Sequence, residues 1–169
     1  MEEAKLKVAV IIASDTRSAG INKDETIPLL RKFIEDEGWE LVEASIIPDE
    51  RALLRDKMVY YADVLKVDLI LTSGGTGPSK RDVTPEATKD VIQKEMPGFS
   101  EAIRMENFKS VKTAILSRGT SGIRNDTLII NLPGNPRGAI ESLDVIKEVI
   151  PHCIEILQGK GGHSGKHIK

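Results

Sequence analysis

At 169 residues, with 24 basic and 26 acidic side chains, the chain has room for one packed core, and its net charge of −2 excludes a global attraction to nucleic acid or an anionic membrane. A single cysteine, Cys153, excludes an intrachain disulfide and argues against a cysteine-based zinc site. No apolar run reaches the roughly 20 residues of a membrane helix, and MEEAKLKVAV is acidic where a secretory leader would be basic, so a cytoplasmic protein is expected.

Lys7 to Ala13 (KVAVIIA) is a short, nearly continuous Val/Ile run, as expected of a strand covered on both faces. After a polar turn, Leu30, Phe33 and Ile34 carry helical spacing and Gly38 offers a stop. Glu40 to Ile47 reads as a second strand. Leu54, Met58, Tyr61 and Leu65 form a helical stripe after Asp49, and Val67 to Thr72 reads as a third strand. A helix is expected from Thr84, with Thr84 as its cap and Pro85 at its first position, and another over Glu101 to Lys112. The stretch to Asn125 reads as irregular or as short strands, and Leu128 to Asn131 as a late strand. Asn135 and Pro136 then open a last helix that Pro151 should kink or split.

Strands alternating with helices imply βαβ units, hence an α/β fold with a mostly parallel sheet and helices on both faces. The expected organisation is one domain over residues 1–158 and a polar, glycine-rich tail over residues 159–169. The tail's GGHSGKH is not a P-loop: Lys160 stands five before Gly165, and His167 replaces Ser or Thr.

In a parallel sheet ligands bind at the carboxyl ends of the strands, so the turns there carry the information. They hold Ser14-Asp15-Thr16-Arg17, Pro48-Asp49-Glu50, the Ser73 to Asp82 loop, and Pro133-Gly134-Asn135-Pro136. Gly74, Gly75 and Gly77 would let backbone amides approach phosphate oxygens, although a tight turn alone also explains an isolated GGTG. Lys80 and Arg81 could hold phosphate, Arg81 by its planar fork. Asp82 would repel that phosphate unless it pairs with Arg81 or the helix terminus, or shares Mg²⁺ with the phosphate and with Asp49. Asp49 could equally cap the following helix. Ser14 and Asp15 could serve as turn or capping groups, and Asn135 as a helix cap.

Two motifs, TSGGTGPSKRDVTPEAT (residues 72–88) and SRGTSGIRNDTLIINLPGNPRGAIESL (residues 117–143), give the chain a resemblance to the MogA/MoaB family and the related gephyrin-type G domains of molybdenum-cofactor synthesis, from about Lys7 to Ile156. The resemblance implies a three-layer α/β molybdopterin-binding fold, a homotrimer, and adenylyl transfer from ATP to molybdopterin with Mg²⁺, releasing pyrophosphate. It further implies a molybdenum-insertion protein as recipient of the product. Carried over by motif, Asp82 and Asp49 are the catalytic and metal-binding acids. Ser14, Asp15, Gly74, Gly75, Thr76, Gly77, Arg81, Ser117, Arg118, Pro133, Gly134 and Asn135 form the substrate and nucleotide site. One departure is Thr26, in a loop where the family often has glycine. The alternative that the resemblance leaves open is a MoaB-like module that binds molybdopterin or serves as an oligomeric scaffold without turnover.

Overall fold

The computed structural model of the chain describes residues 3–161. KVAVIIA (β1, Lys7–Ala13) is buried from Val8 onward, while LILTS (β3, Leu69–Ser73) and TLIINL (β6, Thr127–Leu132) are buried throughout, as Val/Ile/Leu runs inside a parallel sheet must be. The less apolar ELVEASII (β2, Glu40–Ile47) occupies one edge. Ser121–Arg124 (β5) and the two-residue Lys94–Glu95 (β4) complete a six-stranded sheet of order β2-β1-β3-β6-β5-β4. β1 pairs in parallel with β2 and β3, and β3 with β6, whereas β5 runs antiparallel to β4 and β6.

The two-residue period of the strands sorts the core into two layers. Val8, Val10, Ile12, Leu69, Leu71, Leu128 and Ile130 face one side, where α2 (Thr26–Asp36), α5 (Pro97–Phe108), α6 (Pro136–Ile146) and α7 (Ile150–Leu157) pack on them. Ala9, Ile11, Ile70 and Ile129 face the other side, covered by α3 (Arg51–Val59) and α4 (Thr84–Val91) through Leu54, Met58, Ala87 and Val91. The expected three-layer α/β architecture with a mostly parallel sheet is therefore present. Among the described residues no helix is long and apolar enough to cross a membrane.

Several local expectations change. The first polar turn contains a four-residue helix, α1 (Asp15–Ser18), capped by Ser14 Oγ, which accepts the Arg17 amide at 3.2 Å. Thr84 does not cap α4: it is the helix's first residue, after a Val83 that has no side-chain acceptor to offer. Asp49 does not cap α3, which begins after Glu50. α5 starts at Pro97, because proline at a first helical position needs no amide partner. It stops at Phe108, and a 3₁₀ turn follows over Lys112–Leu116. The Leu54 to Leu65 stripe is α3 continued by a π turn, Tyr60–Val64. Pro151 lies in the first turn of α7, and the last helix is split before it, as its sequence implies. Thr26 is fully buried at the start of α2, whose first amides, Thr26 and Ile27, donate to the Asp24 carboxylate at 3.2 and 2.8 Å. The tail residues His163 and His167 lie outside the described residues; His152 is at the surface.

Candidate functional site

Parallel pairing of β2, β1, β3 and β6 brings their carboxyl-terminal turns side by side. Short bonds lock neighbouring turns together. Ser14 N donates to Ile47 O at 2.9 Å, Ser73 Oγ to Pro133 O at 2.7 Å, and Gly74 N to Leu132 O at 3.2 Å. Gly74 has φ +98°, and a Cβ there would collide with the Ala13 carbonyl oxygen, so the turn closes on β1 only with glycine. Gly134 packs tightly on Gly74 in turn: a Cβ at residue 134 would sit 3.1 Å from the Gly74 Cα.

Asp15 and Asp49 brace the β1 and β2 turns reciprocally. The Asp49 amide donates to Asp15 Oδ1 at 2.9 Å, and the Asp15 amide to Asp49 Oδ2 at 3.1 Å. Arg81 adds a fork to Asp15, Nε to Oδ2 at 2.9 Å and Nη2 to Oδ1 at 2.8 Å. That guanidinium, with the Asp49 amide, holds the Asp15 carboxyl below its ordinary value. Asp49 goes the other way. Burial pushes its carboxyl up against the pull of the Asp15 amide, and the charges of Asp15 and Asp82 push it further.

Asp49 Oδ1 is buried with no hydrogen-bond partner, and so is the Thr84 hydroxyl. Both converge on Gly75: a Cβ there would clash with Thr84 Oγ1 and lie 3.0 Å from Asp49 Oδ1. Asp82 folds back on the loop, its Oδ2 accepting the Ser79 amide at 3.1 Å and the Ser79 hydroxyl at 2.8 Å. A Cβ on Gly77 would come within 2.8 Å of that same oxygen. An unpaired buried carboxylate oxygen, a neighbouring hydroxyl and a second carboxylate are the oxygen donors a hard divalent cation takes, so the residues present fit Mg²⁺. Among the described residues the amides of Gly75, Thr76 and Gly77 have no protein acceptor, which leaves them available to an anion.

A cavity of about 860 Å³ opens on the other flank of the loop. Thr76 and Gly77 line it, with Ser117, Pro133 and Asn135. It lies within the range of about 300–1,000 Å³ typical of small-molecule sites. Asn135 also caps α6, its Oδ1 accepting the Gly138 amide at 3.0 Å. Asp15, Asp49 and Asp82 do not line this cavity, so the site has an acidic side and a cavity side with the glycine loop between them.

Three residues around these turns were not assigned to the candidate site from the sequence. Asn131 is a buried amide that donates to Thr72 Oγ1 at 2.9 Å and Thr88 Oγ1 at 3.0 Å, and accepts the Thr120 amide at 3.1 Å. Its signal was a polar residue inside an apolar strand. Glu86 binds Arg118, with both of its oxygens 2.9 Å from Nη1. Arg104 lines the cavity and donates from Nη1 to Gly119 O at 2.7 Å.

A family model described as a probable molybdopterin binding domain matches residues 9–152. The chain belongs to this family. Among relatives of this molybdopterin-binding domain, the molybdopterin adenylyltransferase of Helicobacter pylori (strain J99) is 42% identical over 156 residues, covering 91% of this chain and 89% of the relative. That of Escherichia coli (strain K12) is 38% identical over 169 residues, covering 91% and 86%. The crystal structure of the molybdopterin biosynthesis enzyme MoaB from Thermus thermophilus superposes with a TM-score of 0.87 at 38% identity, covering 92% of this chain and 98% of that one. The molybdopterin biosynthesis Mog protein of Mycobacterium ulcerans gives 0.85 at 37%, covering 91% and 99%. The resemblance carried by residues 72–88 and 117–143 thus holds for sequence and fold alike.

Proposed function

We propose that the chain is a molybdopterin adenylyltransferase, using ATP and Mg²⁺ to convert molybdopterin into adenylyl-molybdopterin and pyrophosphate. The observation that carries the reading is the placement of Asp49 and Asp82 against a glycine loop with free amides, Asp49 keeping one buried oxygen unpaired. Relatives of this length at 38–42% identity bear that enzyme's name, which supports the same direction.

In this reading a phosphate oxygen of molybdopterin attacks the α-phosphorus of ATP, and the bond from that phosphorus to the pyrophosphate oxygen breaks. A phosphate oxyanion is already a nucleophile, so the chain needs no histidine base. Its task is to align two anions and offset their repulsion. The amides of Gly75 to Gly77 cradle phosphate oxygens, and the cavity beside Thr76, Ser117, Pro133 and Asn135 receives the pterin. Asp49 and Asp82 would hold Mg²⁺, whose charge neutralises phosphate oxygens as the leaving group departs. Arg81 is proposed to hold the acidic side in register through its fork to Asp15, with Ser14 and Gly134 supporting the neighbouring turns.

A homotrimer is proposed as well, from the family resemblance; the apolar side chains of Met105 and Ile115, 72% and 61% exposed, are compatible with an interface, while Val111 and Leu116 beside them line the cavity. A molybdenum-insertion protein is the proposed recipient of the product. The catalytic assignment is tested with Asp82→Asn. The variant should fold and bind pterin while Mg²⁺-dependent pyrophosphate release falls by about 100-fold or more, the scale of losing a charge-stabilising group. Full pyrophosphate release by the folded variant would sink the assignment.

A further inference from the structure

Arg118 stands in the turn whose neighbours line the cavity, where a guanidinium would ordinarily be assigned to substrate phosphate. Its hydrogen bonds point elsewhere. The Arg118 amide donates to Thr76 O at 2.8 Å, Nε to Gly77 O at 2.9 Å, and Nη2 to Asp82 O at 2.8 Å. Nη1 meets both oxygens of Glu86 at 2.9 Å. All three side-chain nitrogens are therefore engaged, and the positive charge is matched by a carboxylate fixed in the first turn of α4.

Three carbonyls of the glycine loop thus converge on one residue. Pinning them fixes the peptide planes on both sides of Gly77 and the backbone that carries the Asp82 carboxylate. The turn bearing Arg118 is held in its own place from α5, where Arg104 Nη1 donates to Gly119 O at 2.7 Å. We infer that Arg118 is a positioning residue, held by Glu86, that sets the geometry of the Thr76 to Asp82 loop without binding substrate phosphate itself. In its kinetic consequences the inference rests on the adenylyl-transfer reading; in its structural ones it does not.

The two roles predict opposite behaviour for Glu86→Gln. If Arg118 bound phosphate, loosening Glu86 would free its charge, and turnover would hold or rise. As a positioning pair, Glu86→Gln should lower kcat about tenfold with KM for ATP and for molybdopterin changed less than twofold, since a displacement of about 1 Å far from the reacting atoms costs up to 100-fold. Arg118→Lys keeps the charge but cannot span three acceptors, so it should not rescue function and should lower kcat by about 10- to 100-fold. The double variant should be no worse than Arg118→Lys alone, because both changes release one clamp.

Amide hydrogen exchange at Ser79, Asp82 and Thr84, whose amides are hydrogen-bonded across the loop, gives a readout independent of turnover: both single variants should exchange faster there while β1, β3 and β6 stay protected. If the wild-type chain proves not to adenylylate, this exchange pattern still decides the role of Arg118. If Arg118→Lys fails to fold, Glu86→Gln decides it alone. Unchanged exchange in folded Glu86→Gln, or a tenfold rise in KM for either substrate at unchanged kcat in Arg118→Lys, would overturn the inference.

Discussion

Replacing Asp49 by Asn should separate stability from activity. In the wild type, Oδ2 accepts the Asp15 amide at 3.1 Å, while Oδ1 is buried without a partner beside the equally unpaired Thr84 hydroxyl. Asn can keep the acceptor toward Asp15 while removing the negative charge that burial, Asp15 and Asp82 all disfavour. The Asp49 amide keeps its bond to Asp15, because that bond uses the backbone. Leaving a buried charged group without a partner costs about 1–3 kcal/mol or more, so neutralising it at a half-buried position should leave the variant as stable as wild type or about 1 kcal/mol more stable. For a chain of this size that is a rise in Tm of about 2–4 °C. Activity should move the other way, falling about 100-fold or more as the donor proposed for Mg²⁺ loses its charge. Calorimetric unfolding at neutral pH without nucleotide, alongside pyrophosphate release with Mg²⁺ and ATP, reads both quantities. A variant destabilised by about 2 kcal/mol or more would mean that the Asp49 oxygens are satisfied in the protein, and retained turnover would remove Asp49 from the site.

The same carboxyl predicts a pH dependence. Its pKa in the folded protein is raised by burial and by Asp15 and Asp82, so the native state takes up the proton first and the charged form is a cost relieved as pH falls through that raised value. The stability advantage of Asp49→Asn, measured without Mg²⁺ or nucleotide, should therefore shrink on acidification, beginning above the ordinary carboxylate value of about 3.9; an advantage unchanged down to that value would contradict the electrostatic reading. Asp15, held low by Arg81, contributes in the opposite sense, its pairing persisting at neutral pH and being lost as pH falls through its depressed value. Gly74→Ala would put a methyl group against the Ala13 carbonyl at φ +98°, and a loss of about 2 kcal/mol or more in chemical denaturation is expected; a neutral effect would show that the β1 and β3 turns are not held in contact. Light scattering should return three times the chain mass, and a stable monomer would refute the proposed trimer.

The layers were legible because local pattern decides them: KVAVIIA and the late LIIN run are apolar enough to be central strands, Pro136 opens a helix and Pro151 splits the last one by rules that need no tertiary context. β4 was not, since Lys94 and Glu95 are exposed, polar and only two residues long. The cap expected of Thr84 failed because Val83 precedes the helix and the Thr84 hydroxyl turns toward Gly75 and Asp49. Motif spacing picked out the acids and glycines of the candidate site, but their pairings join distant residues. Arg81 reaches Asp15 across 66 positions, and Arg118 reaches Glu86 across 32. No local pattern encodes which carboxylate a given arginine finds. Asn131 ties three segments together in the same way, and only the fold brings Thr72, Thr88 and Thr120 within its reach.

The most direct test of the central claim is formation of adenylyl-molybdopterin by the purified chain, with ATP and Mg²⁺ each omitted in turn. The account predicts product and pyrophosphate in equal amounts from the complete mixture and neither when one component is missing. Demonstrated binding of molybdopterin without any adenylylated product in the complete mixture would contradict it.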